Sequence, residues 1–189
     1  SMEMDGNDYL HVLPTTSSDW DFTGDFTIEG WLYPTDVSSS RTMFSTGTSS
    51  SVGITFKYSG GGWWLSVGGM SPQELYYVSE TISLNSWTHI AVVRRFSIVT
   101  CYVNGVATAF SSTANTGTIS GTISGAGMTI GAETDNDYGL TGYVDEFRVS
   151  NSARYTSGFT PSTTAFTTDD NTLLLMHMDG VNGGQVFTD

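Results

Sequence analysis

The chain has few of the residues that crosslink a protein or bind it to polyanions. It contains one cysteine in 189 residues, Cys101, so no disulfide forms within the chain and the fold depends on its core or on a metal ion. Only six lysines and arginines accompany 19 acidic residues, and the net charge of -13 repels nucleic acid and anionic membranes. No apolar run approaches the ~18 residues of a membrane span. We therefore expect neither a nucleic-acid partner nor insertion into a membrane.

The sequence also lacks any segment with the 3.6-residue apolar period of a helix. Apolar and polar residues alternate instead, as in Phe26 to Tyr33, which ends at Pro34. Trp87 to Arg95 and Ile98 to Val103 form the strongest pair, and Asn104-Gly105 follows as a type I′ hairpin turn. Ten or more short strands predict an all-β protein, a two-sheet antiparallel β-sandwich of the jelly-roll type. A surface rich in Ser, Thr, Gly and Asn is typical of extracellular and virion β-proteins.

Five motifs carry a resemblance to a known family, and they follow one another in order. They are Asp5 to Leu10, Gly24 to Trp31, Trp87 to Val92 leading to Tyr102 to Gly105, Ile130-Gly131, and Gly142 to Val149. Together they resemble the laminin G-like, concanavalin A-like lectin/glucanase superfamily over about residues 2 to 155. The resemblance implies a concanavalin A-like fold of the kind found in phage and marine microbial surface proteins. It indicates the fold more strongly than an activity.

We assign residues 1–189 to a single laminin G-like jelly-roll domain, in which 156–189 form a C-terminal connector plus an extra strand. The segment from Asn171 to Gly180 has two interpretations. It resembles the opening strand between tandem copies of such domains, which makes it the start of a next unit. Alternatively, Leu173 to Met178 adds an edge or core strand to this domain. Tandem copies and a homo-oligomer both stay open as partners.

Asp145 is the most informative single residue of the sequence. The strand predicted from Gly142 to Val149 has an apolar face of Tyr143, Phe147 and Val149, and Asp145 lies on this face where a fourth core residue is expected. An ionised carboxylate out of water costs several kcal/mol unless a cation or donors meet it. The position therefore predicts a bound metal ion, an ion pair with Arg94, Arg95 or Arg148, or hydrogen bonds from backbone amides.

The resemblance favours calcium at this position. In superfamily members such as laminarinase-type glucanases, the aspartate of a Val-Asp-x-x-Arg-Val strand holds a structural Ca²⁺ together with oxygens near the N-terminus. Asp145 matches that aspartate, and Asp5-Gly6-Asn7-Asp8 provides short oxygen ligands. Asp5 with Asp145 is the first predicted calcium site.

A second acidic cluster, Glu133-Thr134-Asp135-Asn136-Asp137, resembles the calcium loop of pentraxins in part. Glu133, Asp135 and Asp137 are its candidate ligands, with an acidic solvated loop as the alternative. The Asp-Asn pair that pentraxins add from an earlier loop is missing, since Thr48 to Ser51 holds no carboxylate. The cluster also resembles the catalytic Glu-x-Asp-x-x-Glu strand of related glucanases, but its last acid is shorter and comes one position early. We therefore expect no catalysis.

Aromatic side chains are the candidates for contact with a ligand. Trp63, Trp64, Tyr76 and Tyr77 follow glycine and proline turns, and sugars bind by stacking on such rings. Adjacent residues of a strand face opposite ways, so one of Trp63 and Trp64 enters the core and the other is free to stack. Trp31 and Trp87 are predicted to be core residues, and Cys101 is predicted to be a small buried hydrophobe.

Three functions compete on this sequence. The first is a non-catalytic carbohydrate-binding or adhesion module of an extracellular or virion surface protein, stabilised by calcium, with a glycan or surface protein as its partner. The second is a structural spacer or protein-interaction domain without a small ligand. The third is a glycoside hydrolase of the glucanase type, and we predict that the chain is not an enzyme.

Overall fold

Within the part of the chain that the structure describes, the regular structure consists of thirteen short strands. The computed structural model describes residues 1–13, 22, 24–46, 53–67, 74–78, 80–96, 98–108, 127–133 and 135–179, without the side chains of 67 and 74–77. The strands are β1 (Met2–Asp5), β2 (Leu10–Val12), β3 (Phe26–Pro34), β4 (Arg41–Ser45), β5 (Ile54–Ser59), β6 (Gly62–Val67), β7 (Glu74–Tyr77), β8 (Thr88–Arg95), β9 (Ile98–Val103), β10 (Val106–Ala107), β11 (Met128–Ile130), β12 (Thr141–Ser150) and β13 (Thr172–Met176). Within the described residues there is no helix that could span a membrane.

The strands form two antiparallel sheets. Sheet A has the order β1-β12-β3-β8-β9-β10, and β13 pairs with β12 beside β1. Sheet B has the order β2-β11-β4-β5-β6-β7. The prediction of an all-β, two-sheet antiparallel sandwich of the jelly-roll type is confirmed.

The core lies between the inner faces of the two sheets. Phe26, Ile28 and Leu32 alternate along β3 and are fully buried. Phe44 of sheet B meets Phe147 of sheet A edge to face, with ring centroids 5.8 Å apart. Each such side chain contributes about 1.5 to 3 kcal/mol when it is fully buried. Cys101 belongs to this core, and burial raises the pKa of its thiol to about 12.

The hairpin turn between β9 and β10 is the one that the sequence predicts. Asn104 has φ 50° and Gly105 has φ 77°, as a type I′ turn requires. Gly105 is also needed for a close approach of the chain that follows β12. A Cβ at this position would lie 1.8 Å from the carbonyl oxygen of Phe159, whose amide donates to the Gly105 carbonyl at 3.0 Å.

The chain that follows β12, residues 151–171, covers the outer face of sheet A. These residues are called the connector from this point on, although the connector predicted from the sequence begins at residue 156. Ala91, Val93 and Tyr102 point outward from sheet A, yet all three are buried. They pack against connector residues, among them Tyr155 and Phe159, whose rings stack 3.5 Å apart and 4° from parallel. The domain therefore has a second, smaller apolar layer outside the sandwich.

A buried carboxylate lies beneath the connector. Glu29 points outward from β3 and is 1% exposed. Its Oε1 accepts from Nε and Nη2 of Arg148 at 2.9 and 2.6 Å, and its Oε2 accepts from the Tyr155 hydroxyl at 2.7 Å. Burial by itself raises the pKa of the Glu29 carboxyl, but the adjacent His89 ring, Arg148 and Tyr155 outweigh burial and lower the pKa below its ordinary value. The carboxylate therefore stays ionised and ties β3, β12 and the connector together.

The far end of the connector is held to β12 by a second arginine. Arg154 donates to Asp169 at 3.0 and 2.7 Å and to the Ser150 hydroxyl at 2.6 Å. The chain then enters β13, which pairs with the second half of β12, while β1 pairs with the first half. Thr172–Met176 is thus an edge strand of this domain, and its role as the start of a next tandem unit stays a prediction.

We predict that Arg148→Ala lowers the free energy of unfolding by about 3 to 5 kcal/mol, because it leaves the Glu29 carboxylate buried without its cation. By calorimetry the midpoint should fall by roughly 10 °C. Asp169→Asn, which breaks an exposed pair, should shift it far less. The double variant Glu29→Gln/Arg148→Met should recover part of the loss. Equal shifts for Arg148→Ala and Asp169→Asn would show that the buried pair does not hold the fold.

Candidate functional site

A bulge in β12 changes the side on which its carboxylates lie. The register between β12 and β3 shifts between Asp145 and Arg148, and Glu146 has φ 47°. The shift puts Val144 in the core along with Phe147. The expectation that Asp145 lies among core residues is therefore wrong, because it assumed an unbroken alternation through the bulge. The side chain is on the outer face and is 32% exposed.

Asp145 has ordinary polar partners at this position. Its Oδ1 accepts the Glu146 amide at 3.1 Å, and the Ser1 ammonium lies 3.4 Å away. The backbone amide fits one of the predicted alternatives. Arg148, another predicted partner, is bound to Glu29 instead.

Asp5 and Asp145 do not converge on one metal site. In the pairing of β1 with β12, Asp5 is opposite Thr141, so it lies four residues from Asp145, about 13 Å along an extended strand. Two ligands of one Ca²⁺ must lie within ~5 Å of each other. The Asp5 Oδ1 instead accepts the amides of Asn7 and Asp8 at 2.7 and 3.2 Å. The strand register therefore separates Asp5 from Asp145, and the prediction that they share one calcium site is wrong.

The carboxylates of the second acidic cluster differ in burial, since Glu133 forms a buried ion pair while Asp135 and Asp137 face solvent. Glu133 is fully buried and bonds to the Lys57 ammonium at 2.7 Å. Asp135 and Asp137 are exposed. Across the described part of the chain, no three carboxylate, imidazole or thiol groups come together as metal ligands. Glu133 is thus bound to Lys57, Asp135 and Asp137 stay candidate ligands, and calcium binding itself stays a prediction of the sequence.

The predicted ligand-binding aromatics belong to sheet B. Trp63 is in the core, stacked on Phe56 with ring centroids 5.4 Å apart, whereas Trp64 is half-buried on the outer face. The division of this pair between core and surface is confirmed. The indole of Trp64 donates to the Ser59 carbonyl at 2.8 Å. Tyr76 and Tyr77 are in β7, and their side chains lie outside the described residues.

A pocket opens on the outer face of sheet A, on the opposite side of the sandwich from Trp64. It has a volume of about 390 Å³ and is lined by Trp31, Trp87, Asp145, Glu146 and connector residues 162–165. Trp31 is half-buried and Trp87 is 39% exposed, so the prediction that both are core residues is wrong. Trp31 is two residues from Glu29 in β3, so both side chains point to the outer face of the sheet. The alternation in the sequence indicates this outward position for Trp31.

Aromatic neighbours hold the two tryptophans in place. Trp31 is opposite Asp145 in the strand register and meets the buried His89 ring edge to face at 5.3 Å. Trp87 precedes β8 and packs on Tyr33, with ring centroids 5.4 Å apart. Each indole is thus supported by a ring of sheet A and still contributes to the pocket lining.

Glu146 fixes the connector wall of the pocket. Its Oε2 accepts the Phe166 amide at 2.6 Å, and the His177 Nδ1 lies 2.9 Å from Oε1. Behind this wall the Arg148 guanidinium lies 4.3 Å from the centroid of the Phe166 ring. Glu146, which fixes this wall, is therefore the residue next to Asp145 in β12. Arg148 links the same wall to Glu29.

The pocket can hold a ring-shaped polar molecule. Tryptophan rings offer flat apolar surfaces, while Asp145 and the exposed hydroxyls of Ser162, Thr163 and Thr164 offer hydrogen bonds. The Ser162 hydroxyl also donates to the Thr164 carbonyl at 2.9 Å. This combination of apolar faces and few polar groups is typical of small-molecule sites.

Comparison with known proteins places this chain in a family. A family model described as the concanavalin A-like lectin/glucanases superfamily matches residues 5–157. No curated protein matches the chain. A protein of Bacteroides ovatus, proposed as carbohydrate binding, is 20% identical with a TM-score of 0.69, covering 98% of this chain and 53% of its own. The chain thus spans about half the length of that protein.

Two carbohydrate-binding structures share the fold. Domain 4 of AbnA, an extracellular arabinanase of Geobacillus stearothermophilus in complex with arabinotriose, is 21% identical with a TM-score of 0.62, covering 80% of this chain and 70% of its own. The CBM40 of the Ruminococcus gnavus IT-sialidase, bound to α2,3 sialyllactose, is 10% identical with a TM-score of 0.59, covering 82% of this chain and 92% of its own. At these identities the likeness shows the fold alone.

If Glu146 fixes the connector wall, Glu146→Ala should speed hydrogen exchange at the Phe166 amide about tenfold to a hundredfold, because a charged acceptor is lost. NMR-detected exchange would measure this rate. The Phe159 amide, which bonds to the Gly105 carbonyl, serves as the internal control and should keep its rate. Unchanged exchange at Phe166 would show that Glu146 does not hold the wall.

Proposed function

We propose that this chain, which belongs to the concanavalin A-like lectin/glucanases superfamily, is a non-catalytic carbohydrate-binding module of an extracellular or virion surface protein. The observation that carries the proposal is the pocket on sheet A, where Trp31 and Trp87 adjoin Asp145 and three hydroxyl side chains. Sugars bind by stacking their apolar faces on indoles while rim groups bind their hydroxyls. The three structures compared above support the same ligand class, since each is described as carbohydrate binding or is bound to a saccharide.

The arrangement of the carboxylates supports binding without bond cleavage. Glycosidases place two carboxyl groups on either side of the scissile bond, with one free to donate a proton. In the pocket, Glu146 is engaged by the Phe166 amide and by His177, so Asp145 is the more available acid. In the sequence that resembles a catalytic strand, Glu133 and residues 135–137 lie outside any strand, and Glu133 is neutralised by Lys57.

We expect Trp87→Ala to weaken saccharide binding about tenfold, because a stacking surface of this kind contributes roughly 1 kcal/mol or more. A glycan array would identify a binding saccharide, and titration calorimetry would give the affinities. Trp64→Ala is the matched control, since it removes an indole on the opposite sheet. Loss of binding in Trp64→Ala alone would move the site to sheet B, and a silent array would favour the spacer function.

Stabilisation of the folded protein by Ca²⁺, which the sequence predicts, is a separate proposal. A ligand that binds only the folded state raises the melting midpoint. We therefore expect a higher midpoint with millimolar Ca²⁺ than with a chelator. Asp135→Asn/Asp137→Asn should remove the difference if the exposed carboxylates of this loop are the ligands. Equal midpoints for the unaltered protein would exclude a stabilising calcium ion.

A further inference from the structure

The pocket contains acidic side chains and no lysine or arginine. All six cationic side chains are in the described part of the chain, and none of them lines the pocket. Four are paired with carboxylates elsewhere, Arg41 with Asp36, Lys57 with Glu133, Arg148 with Glu29 and Arg154 with Asp169. Arg94 donates to the Phe22 carbonyl, and Arg95 lies over the Phe96 ring. A ligand carboxylate in this pocket would therefore meet no arginine or lysine.

Asp145 is the carboxylate that a ligand can reach. Its side chain is 32% exposed, whereas that of Glu146 is 14% exposed and bonds to the connector wall. A partly exposed carboxylate in the pocket lining can pair with a cationic group of a ligand.

The tryptophans favour the same kind of ligand. Indole is the aromatic ring whose face attracts cations best, at distances up to about 6 Å. Trp31 is directly opposite Asp145 in the register of β3 with β12, and Trp87 also lines the pocket. A protonated amine between these groups would meet a carboxylate and an indole in one place, and a sugar carboxylate there would be repelled by both.

We infer that the pocket selects saccharides that carry free amino groups, binding them more tightly than neutral saccharides and rejecting those that carry carboxylates. The inference rests on the proposed carbohydrate-binding function and adds the ligand's charge to it. The ammonium pairs with Asp145 over the indole of Trp31, while the ring of the sugar stacks on Trp87. The hydroxyls of 162–164 bind the sugar hydroxyls, which all three saccharide classes share.

The test compares β-1,4-linked tetramers of glucosamine, N-acetylglucosamine, glucose and glucuronic acid, which share one linkage. Titration calorimetry at mildly acidic pH and physiological salt keeps the amines protonated and limits long-range attraction to the protein's net charge. The Ser1 amine is acetylated so that it does not compete for Asp145. We expect the glucosamine tetramer to bind about tenfold more tightly than the glucose tetramer, and the glucuronic acid tetramer to bind least.

Asp145→Asn, which keeps hydrogen-bonding groups at this position and removes the charge, should abolish the roughly tenfold preference for the glucosamine tetramer over the glucose tetramer. Asp135→Asn removes the same charge from an exposed loop outside the pocket and should preserve the preference. Equal losses in the two variants would assign the preference to net charge and overturn the inference. Tetralysine binding as tightly as the glucosamine tetramer would also overturn it, because the pocket would then bind charge without a sugar.

The two proposals fail in different ways in this experiment. If the neutral or acidic tetramers bind as tightly as the glucosamine tetramer, the charge preference is wrong and carbohydrate binding stands. If none of the four tetramers binds at millimolar concentration, both are contradicted for this class of glycan.

Discussion

The buried pair of Glu29 and Arg148 is the interaction on which the outer half of this structure depends. Glu29 points away from the core, so on a bare sheet it would be solvated at little cost. The connector removes that solvent, and the carboxylate then requires Arg148 and the Tyr155 hydroxyl. Because the partners come from β12 and from the connector, the requirement is met in one arrangement of the three segments. Removal of one member of such a pair costs more than the intact pair contributes, because the other charge is left buried and uncompensated.

The same arrangement builds the pocket. Arg148 contacts the Phe166 ring, and the Phe166 amide bonds to Glu146 at the bulge of β12. The connector residues just before Phe166 line the pocket together with the tryptophans. A sheet face that would otherwise be open therefore becomes concave because the chain returns across it, and the bulge aims Asp145 into the concavity.

Periodicity was sufficient to predict the fold and insufficient to place its carboxylates. The two-residue alternation and the Asn104-Gly105 turn predicted the sandwich and one hairpin, since both signals are local. The bulge near Asp145 is set by pairing with β3, so alternation alone put this residue on the wrong face. Arg148 is one of the partners that the sequence offers Asp145, but its partner is Glu29, its cross-strand neighbour in β3. Residue type alone predicts Trp31 and Trp87 in the core, although Trp31 alternates with core residues.

NMR mapping of the binding surface is the most direct test of this account. Titration of the labelled protein with a saccharide that binds should shift the indole signals of Trp31 and Trp87 and the amides of 162–166 together, with one binding constant. The amides of β12 around Asp145 should follow. Shifts confined to Trp64 and its neighbours on sheet B, with the connector amides unaffected, would contradict the claim that the returning chain forms the binding site.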